Sequence, residues 1–129
     1  MYGLSVTLNL PFDAAVERVT EELKKEGFGV LTDIDVAATL KAKLGLERLP
    51  YRILGACNPV LASKAIELEP DIGLLLPCNV VVRQEPDGKV SILLLDPNIM
   101  VELVSNKAVC EIAKEARARL DRVKAALEA

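Results

Sequence analysis

Residues 80–95 read Val80-Val81-Val82-Arg83-Gln84-Glu85-Pro86-Asp87-Gly88-Lys89-Val90-Ser91-Ile92-Leu93-Leu94-Leu95, and this stretch decides the fold. Two apolar runs flank Asp87-Gly88, a pair that accepts the positive backbone angles of a tight hairpin turn. The spacing predicts two antiparallel strands, over 73–84 and 89–95. Both are apolar on both faces. The first has Leu74, Leu76, Val80 and Val82 on one side and Leu75 and Val81 on the other; the second sets Ile92 and Leu94 against Leu93 and Leu95. Strands of that kind are normally covered on both faces.

Toward the N-terminus, residues 3–10 alternate Leu4, Val6, Leu8 and Leu10 with smaller or polar residues, which is the period of a half-buried strand. Pro11 opens a helix whose apolar stripe is Phe12, Val16, Val19 and Leu23, with Lys24 and Lys25 at its negative end and Gly27 as the stop. A second strand places Phe28, Val30, Thr32, Ile34 and Val36 on one face, and Asp35 caps a short helix closed by Gly45. Residues 51–57 form a third strand. Asn58 is then an N-cap with Pro59 at the first helical position, and that helix ends before Pro70. Beyond the hairpin, Asp96-Pro97-Asn98 reads as a turn, and Val109, Ile112, Ala113, Ala116, Leu120, Val123 and Leu127 recur at helical spacing. The expected fold is α+β: a single domain over 1–129, with about five mainly antiparallel strands and helices on one face. The order is β-α-β-β-β-β-α with short local helices. The second sheet face then calls for a partner subunit or a ligand, so a homodimer or other homo-oligomer is expected.

Composition narrows the functions. At 129 residues the chain is long enough to bury about two-thirds of its unfolded surface. Hydrophobic residues make up 51% but aromatics only 3%, so the core is aliphatic. A net charge of −3 with no basic run excludes a phosphate-neutralising surface, and no nucleic-acid partner is expected. No run approaches the roughly 20 apolar residues of a membrane span. Met1-Tyr2-Gly3-Leu4-Ser5 carries no positive charge in its side chains, so no secretory signal is expected. An odd count of three scattered cysteines argues against a disulfide framework and for a reducing cytoplasm. A single glutamine amid many Glu, Lys and Arg fits a thermophilic source. With no Walker loop and no dinucleotide fingerprint, no cofactor is expected.

Two of the three cysteines are followed by asparagine, in Gly55-Ala56-Cys57-Asn58-Pro59 and Leu76-Pro77-Cys78-Asn79-Val80, in a chain with only five asparagines. Cys57 ends a strand directly before a capped helix, where the helix N-terminus favours a thiolate; it suits a nucleophile, a soft-metal ligand or simple packing. Cys78 runs in phase with Val80 and Val82, as a core residue does. Asn79 is out of place in a strand, and either pins the bend at Pro77 or presents a polar group to a ligand. Converging thiols would suit Cu(I) or a redox pair, whereas zinc would lack two ligands, for which the chain has no histidine and offers Asp33 or Asp35 instead. Arg52 is a candidate for stabilising a Cys57 thiolate. With Asp33 and Asp35 it also forms a charge cluster that suits structure as well as chemistry. Cys110 reads as packing. The candidate ligand-binding residues are therefore Cys57, Asn58, Cys78, Asn79, Arg52 and Asp35, with no catalytic residue assigned.

Three stretches, Gly27–Asp35, Tyr51–Pro59 and Gly73–Val80, together with Asp87-Gly88 and Asp96-Pro97, resemble the family known as "domain of unknown function 302". The resemblance runs from the first strand to about Asn98. It implies a compact α+β architecture similar to that of the TATA-binding protein, with one sheet face open. It transfers no catalytic residue, and a shared architecture does not carry DNA binding with it. Its recurrent positions correspond to Asp35, Gly55, Cys57, Asn58, Pro59, Pro77 and Cys78. The residues and the resemblance lead to a small homo-oligomeric domain with a ligand or partner site at the Cys-Asn pairs. The alternatives are a thiol-dependent enzyme or redox sensor using Cys57, and soft-metal binding by Cys57 and Cys78.

Overall fold

The hairpin predicted around Asp87-Gly88 is formed by β4 (Cys78–Gln84) and β5 (Val90–Leu95), and it lies at the centre of a five-stranded sheet. The structure, a computed structural model, describes residues 2–129; Met1 lies outside the described residues. Gly88 takes a φ of +87°, and the Asp87 carboxylate accepts the Lys89 backbone N–H at 2.9 Å, so both turn residues act as their chemistry requires. The edge strands are β1 (Gly3–Leu8), paired with β5, and β2 (Gly29–Asp35), paired with β3 (Tyr51–Cys57). The sheet order is β1-β5-β4-β3-β2, with every pair antiparallel.

One face of the sheet is the core. Val6, Leu54, Ala56, Val80, Val82, Val90, Ile92 and Leu94 are buried there beneath α1 (Phe12–Lys25) and α5 (Lys107–Glu128). The buried line of α1 is Ala15, Val19 and Leu23, with Phe12 and Val16 half-buried on its flank. Helix α5 buries the predicted stripe except for Ile112, which is half-buried. A second cluster, Ala65, Ile72, Met100 and Val109, joins α3 (Pro59–Leu68), a 3-10 helix over Pro70–Leu75, and α4 (Ile99–Leu103) to α5.

Two expectations are corrected. The strand expected from residue 73 begins at Cys78, because Pro70 and Asp71 start a 3-10 turn that carries Leu74 out to 90% exposure. The single face expected for β2 is also broken. Val30 pairs with Ala56 and Thr32 with Gly55, so Leu31 is an extra residue and the pattern changes face at this bulge. Val30 therefore packs on the core while Ile34, opposite Ile53, is half exposed. The short helix α2 (Val36–Leu44) is capped by Asp35 and closed by left-handed Gly45 as the sequence predicts, but buries none of its residues.

The opposite sheet face carries Val81, Leu93 and Leu95, all half-buried, around a trough of about 340 Å³ that Tyr2, Tyr51, Asn79 and Arg83 also line.

Candidate functional site

Cys57 and Cys78 converge. Ala56 pairs with Cys78 across β3 and β4, which puts Cys57 one residue beyond that pair at the end of the sheet. Both thiols line one cavity at the seam between the two core clusters, with space for about 50 Å³ of contents. Its walls are apolar: Phe28 and Ala56 from the main core, Ile72 and Met100 from the second cluster. Asn58 is the one lining side chain with an amide, among the described residues.

The local sequence explains how each group is held. The Asn58 Oδ1 accepts the Leu61 backbone N–H at 3.2 Å, capping α3, and Pro59 occupies the first turn, where its missing N–H costs nothing. Leu76-Pro77 is a cis peptide that leads into Cys78. Gly55 lies under this segment: a β-carbon there would come 2.8 Å from Pro77 Cγ and would also strike Thr32 Oγ1. Gly27, with φ +85°, brings the end of α1 against Asn58, and Arg119 Nη1 on α5 donates to the Glu26 carbonyl at 3.0 Å. On the far wall, the Asp96 carboxylate accepts the Asn98 N–H at 2.9 Å and binds Arg117 Nη1 at 2.7 Å. That places the turn before α4, and hence Met100, against the cavity.

The Cys78 thiol is pushed up to about 11, first by burial and then by the neighbouring Cys57, so it is protonated at neutral pH. All three cysteines are free thiols and half-buried. Cys110 does not line the cavity.

The other predicted residues lie elsewhere. Asn79 is exposed on the open sheet face, opposite Gly55. Asp35 is occupied as a helix cap, its carboxylate accepting the Ala38 N–H at 2.9 Å. Arg52 donates through Nε to Asp33 at 3.0 Å, with Nη2 on the second carboxylate oxygen. That partner raises the Arg52 pKa further above its ordinary value. Arg52 is at the opposite end of β3 from Cys57, roughly 16 Å along the strand. Met100 went unpredicted: it shares no motif with either cysteine, and its one sequence signal is that it is the chain's only methionine besides Met1. Among the described residues, no three His, Cys, Asp or Glu side chains gather as a metal-ligand group, and no helix is long and apolar enough to cross a membrane.

Comparisons with known proteins agree with this fold. No curated protein matches the chain. A crystal structure of an uncharacterized conserved DUF302 protein from Bacillus stearothermophilus is similar over 98% of both chains, with 34% identity and a TM-score of 0.89. The family model described as domain of unknown function DUF302 matches residues 4–127. The resemblance carried by the Cys-Asn-Pro and Leu-Pro-Cys stretches thus extends through the last helix, and the chain belongs to the DUF302 family.

Proposed function

We propose that this protein is a homo-oligomeric binding module that holds a ligand of very few atoms between Cys57, Asn58 and Cys78. The observation that carries the reading is the convergence of both Cys-Asn cysteines on one cavity. Its 50 Å³ is well below the space of about 150 Å³ in which an apolar cavity takes up benzene, so the occupant is an ion or a fragment of similar size. Three free thiols are in keeping with a reducing compartment such as the cytoplasm.

The open sheet face supports self-association. Its apolar residues Val81, Leu93 and Leu95 surround a trough whose charged member, Arg83, is already paired with Glu85 at 2.7 Å. A face without uncompensated charge can meet its own copy about a two-fold axis without repulsion. The thiol-enzyme reading draws less support. Cys78 is held as a neutral thiol, the chain has no histidine, and Arg52 is at the wrong end of β3 to serve Cys57.

Native mass spectrometry of the reduced protein as purified tests both parts. A dimer with a small additional mass, absent from the Cys57→Ala, Cys78→Ala variant, is the expected result. A bare monomer at micromolar concentration would remove the proposal.

A further inference from the structure

A third sulfur-bearing residue lines the cavity that Cys57 and Cys78 share. Met100 is 6% exposed and lines the same walls. Apart from Met1, the chain has four sulfur-bearing residues, Cys57, Cys78, Met100 and Cys110. Three of these four border one small cavity, although they come from three different elements.

We propose that this cavity is a site for one Cu(I) ion, with Cys57 and Cys78 as thiolate ligands and Met100 as the thioether ligand. The inference rests on the reading that the cavity takes a ligand, and names which one. Thiolate and thioether donors select soft ions, and Cu(I) is the common one satisfied by two or three sulfurs. Structural zinc asks for four ligands, and calcium and magnesium for a set of oxygen donors, of which the lining side chains offer only the Asn58 amide. The size agrees with a single ion, and the walls around the sulfur-bearing residues are mainly aliphatic. Binding exchanges Cu(I) for the two thiol protons, which leave to solvent; copper is neither oxidised nor reduced. The resulting bis-thiolate complex carries one net negative charge, and it forms beside the N-terminal turn of α3, the positive end of that helix's dipole, which favours an anion. The arrangement of Asp96, Arg117 and the turn before α4 then has a purpose beyond packing, since it holds Met100 in the lining of the cavity that both cysteines share.

The test is an anaerobic titration of the reduced chain with Cu(I), added as its acetonitrile complex against a chromophoric Cu(I) chelator. The expected result is one Cu(I) per chain, an ultraviolet thiolate-to-copper band and a sulfur-only shell in X-ray absorption. Cys57→Ser and Cys78→Ser should each lose stoichiometric binding, while Cys110→Ser should keep it. Met100→Leu should still bind, more weakly and with one sulfur fewer. A copper–selenium path in selenomethionine-labelled protein, lost in Met100→Leu, would report Met100 even if a cysteine variant failed to fold. Uptake no better than the chelator background, survival of binding in the double serine variant, or equal affinity for Zn(II) would overturn the proposal. An unchanged shell in Met100→Leu would remove the thioether ligand. If the purified protein instead carries a metal-free mass released by both cysteine substitutions, the copper assignment falls while the ligand-binding reading stands. If no mass of any kind depends on these residues, both fall.

Discussion

Asn58 and Gly27 meet so closely that a β-carbon at position 27 would come 2.9 Å from Asn58 Nδ2. The contact ties the end of α1 to the start of α3 beside Cys57. Arg119 reaches the same point from α5, its Nη1 on the Glu26 carbonyl. Three helices that are distant in sequence are thereby joined at the rim of the cavity.

Substituting Gly27 tests that junction. Gly27→Ala must strain a left-handed backbone position and displace the Asn58 amide. We expect a loss of about 1–3 kcal/mol in urea denaturation. In a double-mutant cycle with Asn58→Ala the two losses should sum to more than the double variant shows, because removing the amide relieves the clash. Strict additivity would mean that the two residues do not press on each other.

Capping predicts a separate cost at Asn58. Asn58→Ala removes the acceptor for the Leu61 N–H and should lower stability by about 0.5–2 kcal/mol, whereas Asn58→Ser or Asn58→Asp should retain most of it. Thermal melts of the three variants, checked by circular dichroism, give the ranking. Equal losses in all three would show that the cap is not the source.

The Cys78 thiol predicts a pH dependence in the reduced, metal-free protein. Its pKa is raised from 9.0 in the unfolded chain to about 11 when folded. The folded state therefore binds more protons between those values. The contribution is fully present below pH 9 and is lost as pH rises toward 11, at about 1.4 kcal/mol per pH unit. Over the window the fall amounts to about 2–3 kcal/mol, and Cys78→Ala should lack it. Denaturation curves at pH 8, 9.5 and 11 for both proteins measure the difference, and parallel curves would contradict the burial of this thiol.

Arg52 should prove structural and minor. Its pair with Asp33 is about one-third exposed on both sides, so Arg52→Ala should cost no more than about 1 kcal/mol. Because it lies at the other end of β3, the rate at which iodoacetamide labels Cys57 should be unchanged in that variant. A clear drop in labelling would return Arg52 to the thiol chemistry.

Leu93 probes the open face. Leu93→Glu places a charge amid Val81 and Leu95, outside the core, and should convert the proposed dimer to monomer in sedimentation velocity with little change in melting temperature. A dimer that withstands the substitution would place the interface elsewhere.

Much of this molecule was legible locally. The Asp87-Gly88 turn, the Asn58-Pro59 helix start, the Asp35 cap and the Gly45 stop each depend on one or two residues and the backbone they accept, and each was readable from residue type alone. The bulge at Leu31 was not, because it exists only relative to the partner strand: Val30 and Thr32 alternate correctly until they are paired with Ala56 and Gly55. Leu74 and Leu75 misled for a related reason. Aliphatic residues fit a buried strand or a 3-10 turn equally well, and the geometry between Pro70 and Pro77 decided between them.

The candidate site divides along the same line. By itself the sequence determined that Cys57 precedes a helix start and that Cys78 follows a proline, since both are matters of neighbouring residues. Only the tertiary structure decided that these thiols share a cavity with Met100, that Asn79 turns to the opposite face, and that Arg52 is remote. Those outcomes follow from strand register and helix packing, which bring together residues tens of positions apart. No local pattern encodes such a distance, because it is set by the burial of the whole apolar surface at once.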